Sequence, residues 1–434
     1  MIPLRESEGS ILPHLLLLVV PITTLAGPRF PQRRKFAIAA IIGLAISCHV
    51  NQFTQNLGLA NLFSLAWPHY MLCLANFVFA SAEGPEGDLW RIDRPPREAL
   101  SFPAFSWRKF IWAFVTLFNT RGIRWNYEVP YPPRRVGKGE REGTARFVLL
   151  QLVDLAWMVL MADLVSQLGR TCFFIDPETS QVYTNTKHLS VRGHEALESL
   201  LRAFVFGAGP YFFINIQYVL CSIPWVLMGW SKPQDWPPLF GHLSEATTVR
   251  KFWNRFWHHI IRNSLTSFST AAARRLGLTK GSTLYSYTHL WIAFTISSVM
   301  HAGSMMILPS PVNISLAERS VGFIFFFLYQ AFAISVEDFV QWAYKRITGE
   351  HFGSSWHPWF GYMWVICSFW YSLPHAGGSH AQVAIRARLT AAVLCFSAAG
   401  RENVFGHGLV VVQVQIEGPA QPGNFVRGCG HVVA

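Results

Sequence analysis

The residues with the most chemical capacity lie in one stretch, residues 236–304. His301 sits deep in an apolar run, Phe294-Thr295-Ile296-Ser297-Ser298-Val299-Met300-His301-Ala302-Gly303. An ionisable side chain at that depth is a functional candidate by default. Histidine takes and returns a proton near neutral pH, and an apolar setting keeps the imidazole neutral, as a general base requires. Ser297 precedes it by four residues, on the same helix face, where it can fix the tautomer of the ring. The competing reading is a histidine bonded to a neighbouring helix for packing alone.

The second candidate is the cationic, aromatic run Lys251-Phe252-Trp253-Asn254-Arg255-Phe256-Trp257-His258 and its continuation to Arg262. As a helix, it carries Lys251, Arg255, His258 and Arg262 on one face and Phe252, Trp253, Phe256 and Trp257 on the other. That pattern predicts an amphipathic helix lying in the membrane interface. It is either a surface anchor only, or also a cationic mouth for a phosphate-bearing cosubstrate such as coenzyme A. Asn254 lies between the faces, where it can hydrogen-bond a thioester carbonyl or position a helix.

The elements that must position these groups follow from composition. The chain has 434 residues, 51% hydrophobic and 14% charged, against roughly 25% charged in soluble domains. The 17 Trp and 35 Phe suit membrane-interface positions. The expected fold is all-α: a polytopic transmembrane helix bundle of about eight spans with an interfacial amphipathic helix. The predicted spans are residues 11–26, 36–57, 59–80, 147–168, 203–230, 284–308, 321–344 and 358–373. The second and third abut, and the fifth holds Pro210 and Pro224, which can kink or break it. A polar excursion, residues 84–143, contains a short aromatic helix at 107–118.

The net charge of +12 does not indicate nucleic acid, because the basic residues sit in loops between apolar spans. Arg29, Arg33, Arg34 and Lys35 fill one such loop, Arg250 to Lys280 another, and Lys345 and Arg346 a third. Basic loops alternate with neutral or acidic ones, which places the basic loops in the cytosol and the N-terminus in the lumen. Residues 309–316 are then lumenal and hold the sequon Asn313-Ile314-Ser315. The seven Cys are scattered without a Cys-x-x-Cys pair, so neither a zinc site nor a disulfide framework is expected. No phosphate-binding Gly loop, Gly-x-Ser-x-Gly elbow or His-Glu-x-x-His pair occurs.

Pro-Pro-Leu-Phe-Gly at 237–241, Phe-Trp-x-Arg-Phe-Trp-His at 252–258 and Phe-x-x-Ser-x-x-x-His at 294–301 resemble the wax synthase-like branch of the membrane-bound O-acyltransferases. Among these, the sequence looks most like fungal acetyltransferases of terpenoid and meroterpenoid pathways. Where many such relatives carry an acidic residue after the histidine, this chain has Ala302-Gly303.

The resemblance covers about residues 10–375 and implies an acyltransferase domain over residues 1–375 with its core at 236–304; the sequence after Ala376 sustains no 3.6-residue period, so the tail at 376–434 is expected to lie outside the catalytic fold. It implies a multi-pass protein of the endoplasmic reticulum that moves an acetyl group from acetyl-CoA to a lipophilic alcohol. No cofactor is bound, and acyl-CoA is a cosubstrate. The resemblance matches the family's essential histidine to His301 and its Trp-x-Arg-x-Trp region to Trp253, Arg255 and Trp257. Together with the reading of the helix faces, the expected catalytic residues are His301 and Asn254, and Arg255, Trp253, Trp257, His258 and Lys251 are expected to hold the cosubstrate. The alternatives are a long-chain acyl-CoA:alcohol acyltransferase of wax ester type, a polytopic transporter that relays protons through His301, and a non-catalytic scaffold.

Overall fold

The computed structural model describes residues 9–129, 143–174, 195–309, 315–349 and 358–376. The sequon at Asn313 and the tail beyond Ala376 lie outside these residues. The described chain is α-helical, with an isolated bridge between Arg91 and Trp125 as its one β contact. Its elements are α1 (Leu12–Ala26), α2 (Arg33–Val50), α3 (Leu57–Ser64), α4 (Trp67–Val78), α5 (Pro85–Asp88), α6 (Trp107–Phe118), α7 (Thr144–Phe174), α8 (Ala196–Leu227), α9 (Val249–Lys251), α10 (Arg262–Arg275), α11 (Thr283–Ile307), α12 (Leu316–Thr348) and α13 (Pro358–Ala376).

Four of these helices are long and apolar enough to cross a membrane: those within α7, α8, α11 and α12. At 1.5 Å per residue even α11, with 25 residues, reaches about 38 Å, more than the roughly 30 Å hydrocarbon core. Large apolar side chains face outward from them, Leu149, Trp157, Phe204, Val299 and Phe339 among them, as lipid contact requires. In soluble proteins such a surface would aggregate.

The expected third span is a correction. It is split into α3 and α4 at Leu65-Ala66. Pro68 has no N–H for the carbonyl of Ser64, so the helical ladder is interrupted, and the 12 residues of α4 reach only about 18 Å. The second expected span ends early, at Val50. By contrast, α8 runs unbroken past both Pro210 and Pro224.

The polar excursion is tied to the bundle by one buried carboxylate. Glu86 is fully buried, and its two oxygens accept from Arg33 Nη1 and Nη2 at 2.7 Å each. Arg29 and Lys109 stand 3.7 and 3.9 Å away, and Lys109 Nζ also donates to the carbonyl of Gly27 at 3.0 Å. Burial alone would raise the Glu86 carboxyl, but the Arg33 fork outweighs it and holds the group below the usual carboxylate range. Gly84, at φ +75°, leads the chain into this cluster, where a Cβ would meet Glu86 Oε2 at 3.0 Å. The expected aromatic helix is α6, over the same residues 107–118. Its N-cap Ser106 accepts from Lys109 N, and its buried Trp112 and Leu117 join the core that α1, α2 and α4 share.

Around the site, α11 packs along α12, and α12 against α13. The first half of α11 is level with the last third of α12, where the Tyr287 hydroxyl donates to Asp338 at 3.1 Å. Arg250, Arg274, Lys280, Lys345 and Arg346 cluster at the ends of elements near this level or in the loops that follow, on the side expected to face the cytosol.

Candidate active site

The run 251–262 does not form one amphipathic helix, which corrects the sequence reading. It is built in three pieces: α9, a π-helical turn over Phe252–Phe256, and α10 beginning at Arg262. Trp257 turns extended, with ψ 151°, and its N–H donates to the carbonyl of Phe252 at 2.8 Å. The physical reason is aromatic crowding. Phe252, Trp253, Phe256 and Trp257 are too bulky for one narrow face, and the wider turn lets Phe252 stack on Trp257, with centroids 5.5 Å apart and planes at 20°. Such π turns are frequent at functional sites.

The turn is held from three sides. The Pro-Pro-Leu-Phe-Gly segment backs it: Gly241 N–H donates to the Phe256 carbonyl at 2.8 Å. A Cβ on Gly241 would lie 1.9 Å from the Arg255 carbonyl oxygen, so the two backbones meet where no side chain fits. Phe240 packs on Trp257 and His258, and the carbonyl of Pro237 accepts from Tyr218 Oη at 2.7 Å and Arg121 Nη1 at 3.3 Å.

The second support is Glu337 of α12. Its carboxylate accepts from Val249 N (2.5 Å), Arg250 N (3.1 Å) and Trp364 Nε1 (2.7 Å). The neighbouring Asp338 instead pairs with the Arg250 guanidinium at a half-exposed position. Glu337→Ala strands the buried amide of Val249 and removes the acceptor of the part-buried Arg250 amide and Trp364 indole N–H. It is expected to cost about 2–4 kcal/mol and to lower activity with it, whereas Asp338→Ala costs less than about 1 kcal/mol. Thermal melting of the two detergent-solubilised variants checks the contrast; equal losses would contradict the capping role of Glu337.

The third support is Gln330, completely buried midway along α12. Its Oε1 accepts from Trp253 Nε1 at 3.3 Å, and its Nε2 donates to Ser372 Oγ at 3.0 Å and to Phe326 O. One amide thus joins the turn, α12 and α13. Sequence reasoning missed it, although a glutamine inside Phe-Phe-Phe-Leu-Tyr-Gln-Ala-Phe-Ala is the kind of mid-span polar residue that flags a site.

His301 stands on α11 between two aromatic rings, Phe327 at 4.2 Å and Trp67 at 4.9 Å between centroids. Its Nδ1 lies 2.8 Å from the carbonyl oxygen of Ser297 and 3.3 Å from Ser297 Oγ. A carbonyl only accepts, so in the neutral ring Nδ1 carries the proton and Nε2 keeps its lone pair. Ser297 therefore fixes the tautomer, chiefly through its backbone rather than its hydroxyl. Trp67, at the start of α4, was not foreseen as a neighbour of His301; its place depends on the α3–α4 break that the sequence reading joined over.

The turn brings a second imidazole towards the first. His258 lies against Phe240 and Trp257, with its Nδ1 buried and unpartnered. Burial, with the nearby imidazoles of His301 and His259 and the Arg121 guanidinium as lesser causes, holds His258 well below the usual imidazole range, so it is neutral at physiological pH. Trp253 is packed among Phe294, Phe326, Phe327 and Phe369. The remaining candidates point elsewhere. Lys251 and Arg255 are exposed, bonded to Thr247 Oγ1 at 3.0 Å and to Glu245 at 2.8 Å. The Asn254 side chain is exposed, while its carbonyl accepts from the buried His259 at 2.9 Å. No hydrogen bond among the described residues joins the Asn254 side chain to His301.

The site is a histidine of fixed tautomer set between two aromatic rings in an all-helical membrane fold. Residues 236–328, which contain it, match the family described as "Membrane bound O-acyl transferase family". Residues 143–227 match the "Aspirochlorine biosynthesis protein F C-terminal domain". The chain is similar to aspirochlorine biosynthesis protein F of Aspergillus oryzae, 47% identical over 53% of this chain and 89% of that protein. It is also similar to acetyltransferase ataH of Aspergillus terreus, 30% identical over 59% of this chain and 84% of that one. Similarity to acetyltransferase ple2 of Rhodocybe pseudopiperita is 31% over 61% of this chain, and spans only 64% of ple2. No solved structure matches. The chain belongs to the membrane-bound O-acyl transferase family, alongside acetyltransferases of fungal secondary metabolism.

Proposed function

We propose that this protein transfers the acetyl group of acetyl-CoA to a hydroxyl of a lipophilic secondary metabolite, of the terpenoid or meroterpenoid class that the motifs imply. The observation that carries this reading is the unprotonated Nε2 of His301, set in an aromatic wall by the Nδ1 bond to Ser297. Nε2 takes the hydroxyl proton as the oxygen attacks the thioester carbonyl. The C–S bond breaks, and the departing thiolate recovers the proton from the imidazolium, so acetyl-CoA and alcohol become ester and free CoA. No covalent enzyme intermediate is required.

In this reading Asn254 has a positioning role: its side chain is exposed, and its backbone carbonyl accepts from His259 and holds the turn. Trp253, Trp257 and His258 line the path of the acyl-pantetheine end, with Lys251 and Arg255 supplying positive charge at the cytosolic mouth. The neutral His258 adds no charge that would raise the cost of the imidazolium beyond what burial imposes. The protein would work in the endoplasmic reticulum membrane, where both substrates meet.

The test is an acyl-chain series on membranes that contain the protein: acetyl-, octanoyl- and palmitoyl-CoA with a panel of hydroxylated terpenoids, reading free thiol. The expected result is acceptor-dependent thiol release that is fastest with acetyl-CoA. Preference for palmitoyl-CoA would make it a wax ester-type enzyme instead.

A further inference from the structure

An acidic side chain inside a membrane span is costly and needs a partner. Asp154 has none. It lies on α7 about 15 Å in from Thr144 at 1.5 Å per residue, close to the middle of the apolar stretch Thr144–Gly169. It is exposed, and it makes no ion pair or hydrogen bond among the described residues. Across from it on α8, Tyr211 is within electrostatic reach of the carboxyl and is hydrogen-bonded to the side chain of Asn215. Tyr211, Asn215 and Tyr218 share one face of α8, at steps of four and three. Further along the helix pair the polar groups are already committed: Tyr218 donates to the Pro237 carbonyl at 2.7 Å, and Ser222 to Gln151 Oε1 at 3.3 Å. What remains is a carboxyl, a phenol and a carboxamide, a patch with both donor and acceptor capacity.

The patch borders the reacting centre. The Tyr211 ring stacks on Phe256 of the π turn, with centroids 6.1 Å apart and planes at 12°, and packs on Phe240 at 4.5 Å. Phe206 stands one and a half turns earlier on α8, about 8 Å along the axis. It packs in the aromatic cluster of Phe326 and Phe327, and Phe327 is the ring against His301. Between Phe206 and Tyr211 the helix is bare at Gly209, where a Cβ would meet no atom within 4 Å. A fused ring system laid along this stretch of α8 has one end near the base and the other at the patch. Asp154, Tyr211 and Asn215 also lie outside residues 236–328, the segment matched to the acyltransferase family, which suits a role in choosing the acceptor rather than in the transfer.

We propose that Asp154, with Tyr211 and Asn215, binds a second hydrogen-bond donor of the acceptor, an N–H or O–H group remote from the hydroxyl that is acetylated. The acceptor class is then a lipophilic ring system with at least two polar groups, rather than a simple mono-alcohol. This rests on the acetyltransferase reading above and deepens it. Asp154 is a specificity-determining residue: it meets the acceptor at the end away from the reaction and moves no proton in it. It discriminates because an acceptor without the second donor leaves the carboxyl unbonded in apolar surroundings.

The test supplies the full-length protein in nanodiscs with acetyl-CoA and matched terpenoid pairs, each a diol and the mono-ol that lacks its remote hydroxyl. The kcat/KM is measured for wild type, Asp154→Leu and Asp154→Asn. Both substitutions take an acidic group out of an exposed position inside the span, which eases membrane insertion. Wild type is expected to prefer the diol of at least one pair by about tenfold or more, through KM. Asp154→Leu should abolish that preference, and Asp154→Asn, which keeps a carbonyl acceptor, should retain part of it. A diol preference unchanged in Asp154→Leu, or absent from wild type in every pair, would overturn the proposal while leaving the acetyltransferase reading intact. Equal proportional loss on diol and mono-ol would reduce Asp154 to a structural role and overturn it too. So would a changed oligomeric state of Asp154→Leu by mass photometry with the preference kept, which would make this face of α7 a contact between copies of the chain. Wild type that acetylates no member of any pair would remove the acetyltransferase reading itself, and this inference with it.

Discussion

His301→Ala is expected to lower acetyl transfer by about 100- to 10,000-fold while leaving the protein in the membrane at normal levels. General-base removal carries a cost of that size, and the side chain contributes little to folding that alanine would forfeit. Its ring contacts are with Phe327 and Trp67, and its one short polar contact is to the carbonyl of its own helix. His301→Gln sharpens the test. Glutamine can keep a donor towards the Ser297 carbonyl but has no basic nitrogen, so it should be as inactive as alanine. Near-normal activity in either variant, at equal expression, would remove His301 from the chemistry. Residual activity that rises with added imidazole in the alanine variant would support it directly.

The second large effect should come from a residue that touches no substrate. Gly241→Ala places a methyl group 1.9 Å from the Arg255 carbonyl oxygen. The obstacle is backbone rather than a movable side chain, so the Pro-Pro-Leu-Phe-Gly segment and the π turn must part. Overpacking of this kind costs about 1–3 kcal/mol. A displacement of the turn by about 1 Å can cost about 100-fold in rate. The expected outcome is a protein that is expressed, melts several degrees lower and is nearly inactive. Its loss should be specific to the position: Gly277→Ala, in the α10–α11 loop with nothing within 4 Å of its Cβ site, bears only the strain of its φ of +69° and should retain most activity. Equal activity of Gly241→Ala and wild type would contradict the docking of the motif on the turn.

How much of this could be read in the sequence varies by element. The long spans were legible because about 20 apolar residues have few other uses, and α6 was legible to the residue because Ser106 caps it and an aromatic run fills it. The spacing of Ser297 and His301 placed both on one face of α11 and foretold their contact. The break between α3 and α4 was obscured because an apolar run continues through it; only Pro68 marks it. The π turn was not legible from periodicity. A 3.6-residue reading of 251–262 puts four cations or imidazoles on one face, whereas the wider turn moves His258 inward and leaves Lys251 and Arg255 outside with their own partners. Gln330 and Glu337 act across helices that are distant in sequence. A single chain gives no signal for such pairings beyond the presence of a polar group inside a span.

The most direct measurement follows the acetyl carbon itself. Membranes carrying wild type or His301→Ala are supplied with acetyl-CoA labelled in the acetyl group and with the hydroxylated acceptor that released most thiol. Label is then followed into lipid extract, protein and the lumenal space. Direct transfer through His301 predicts label recovered as an ester in the extract, one thiol released for each ester formed, no label on the protein, and neither ester nor thiol with His301→Ala. Label carried into the lumen without ester or thiol, or ester formed equally by both proteins, would contradict the account.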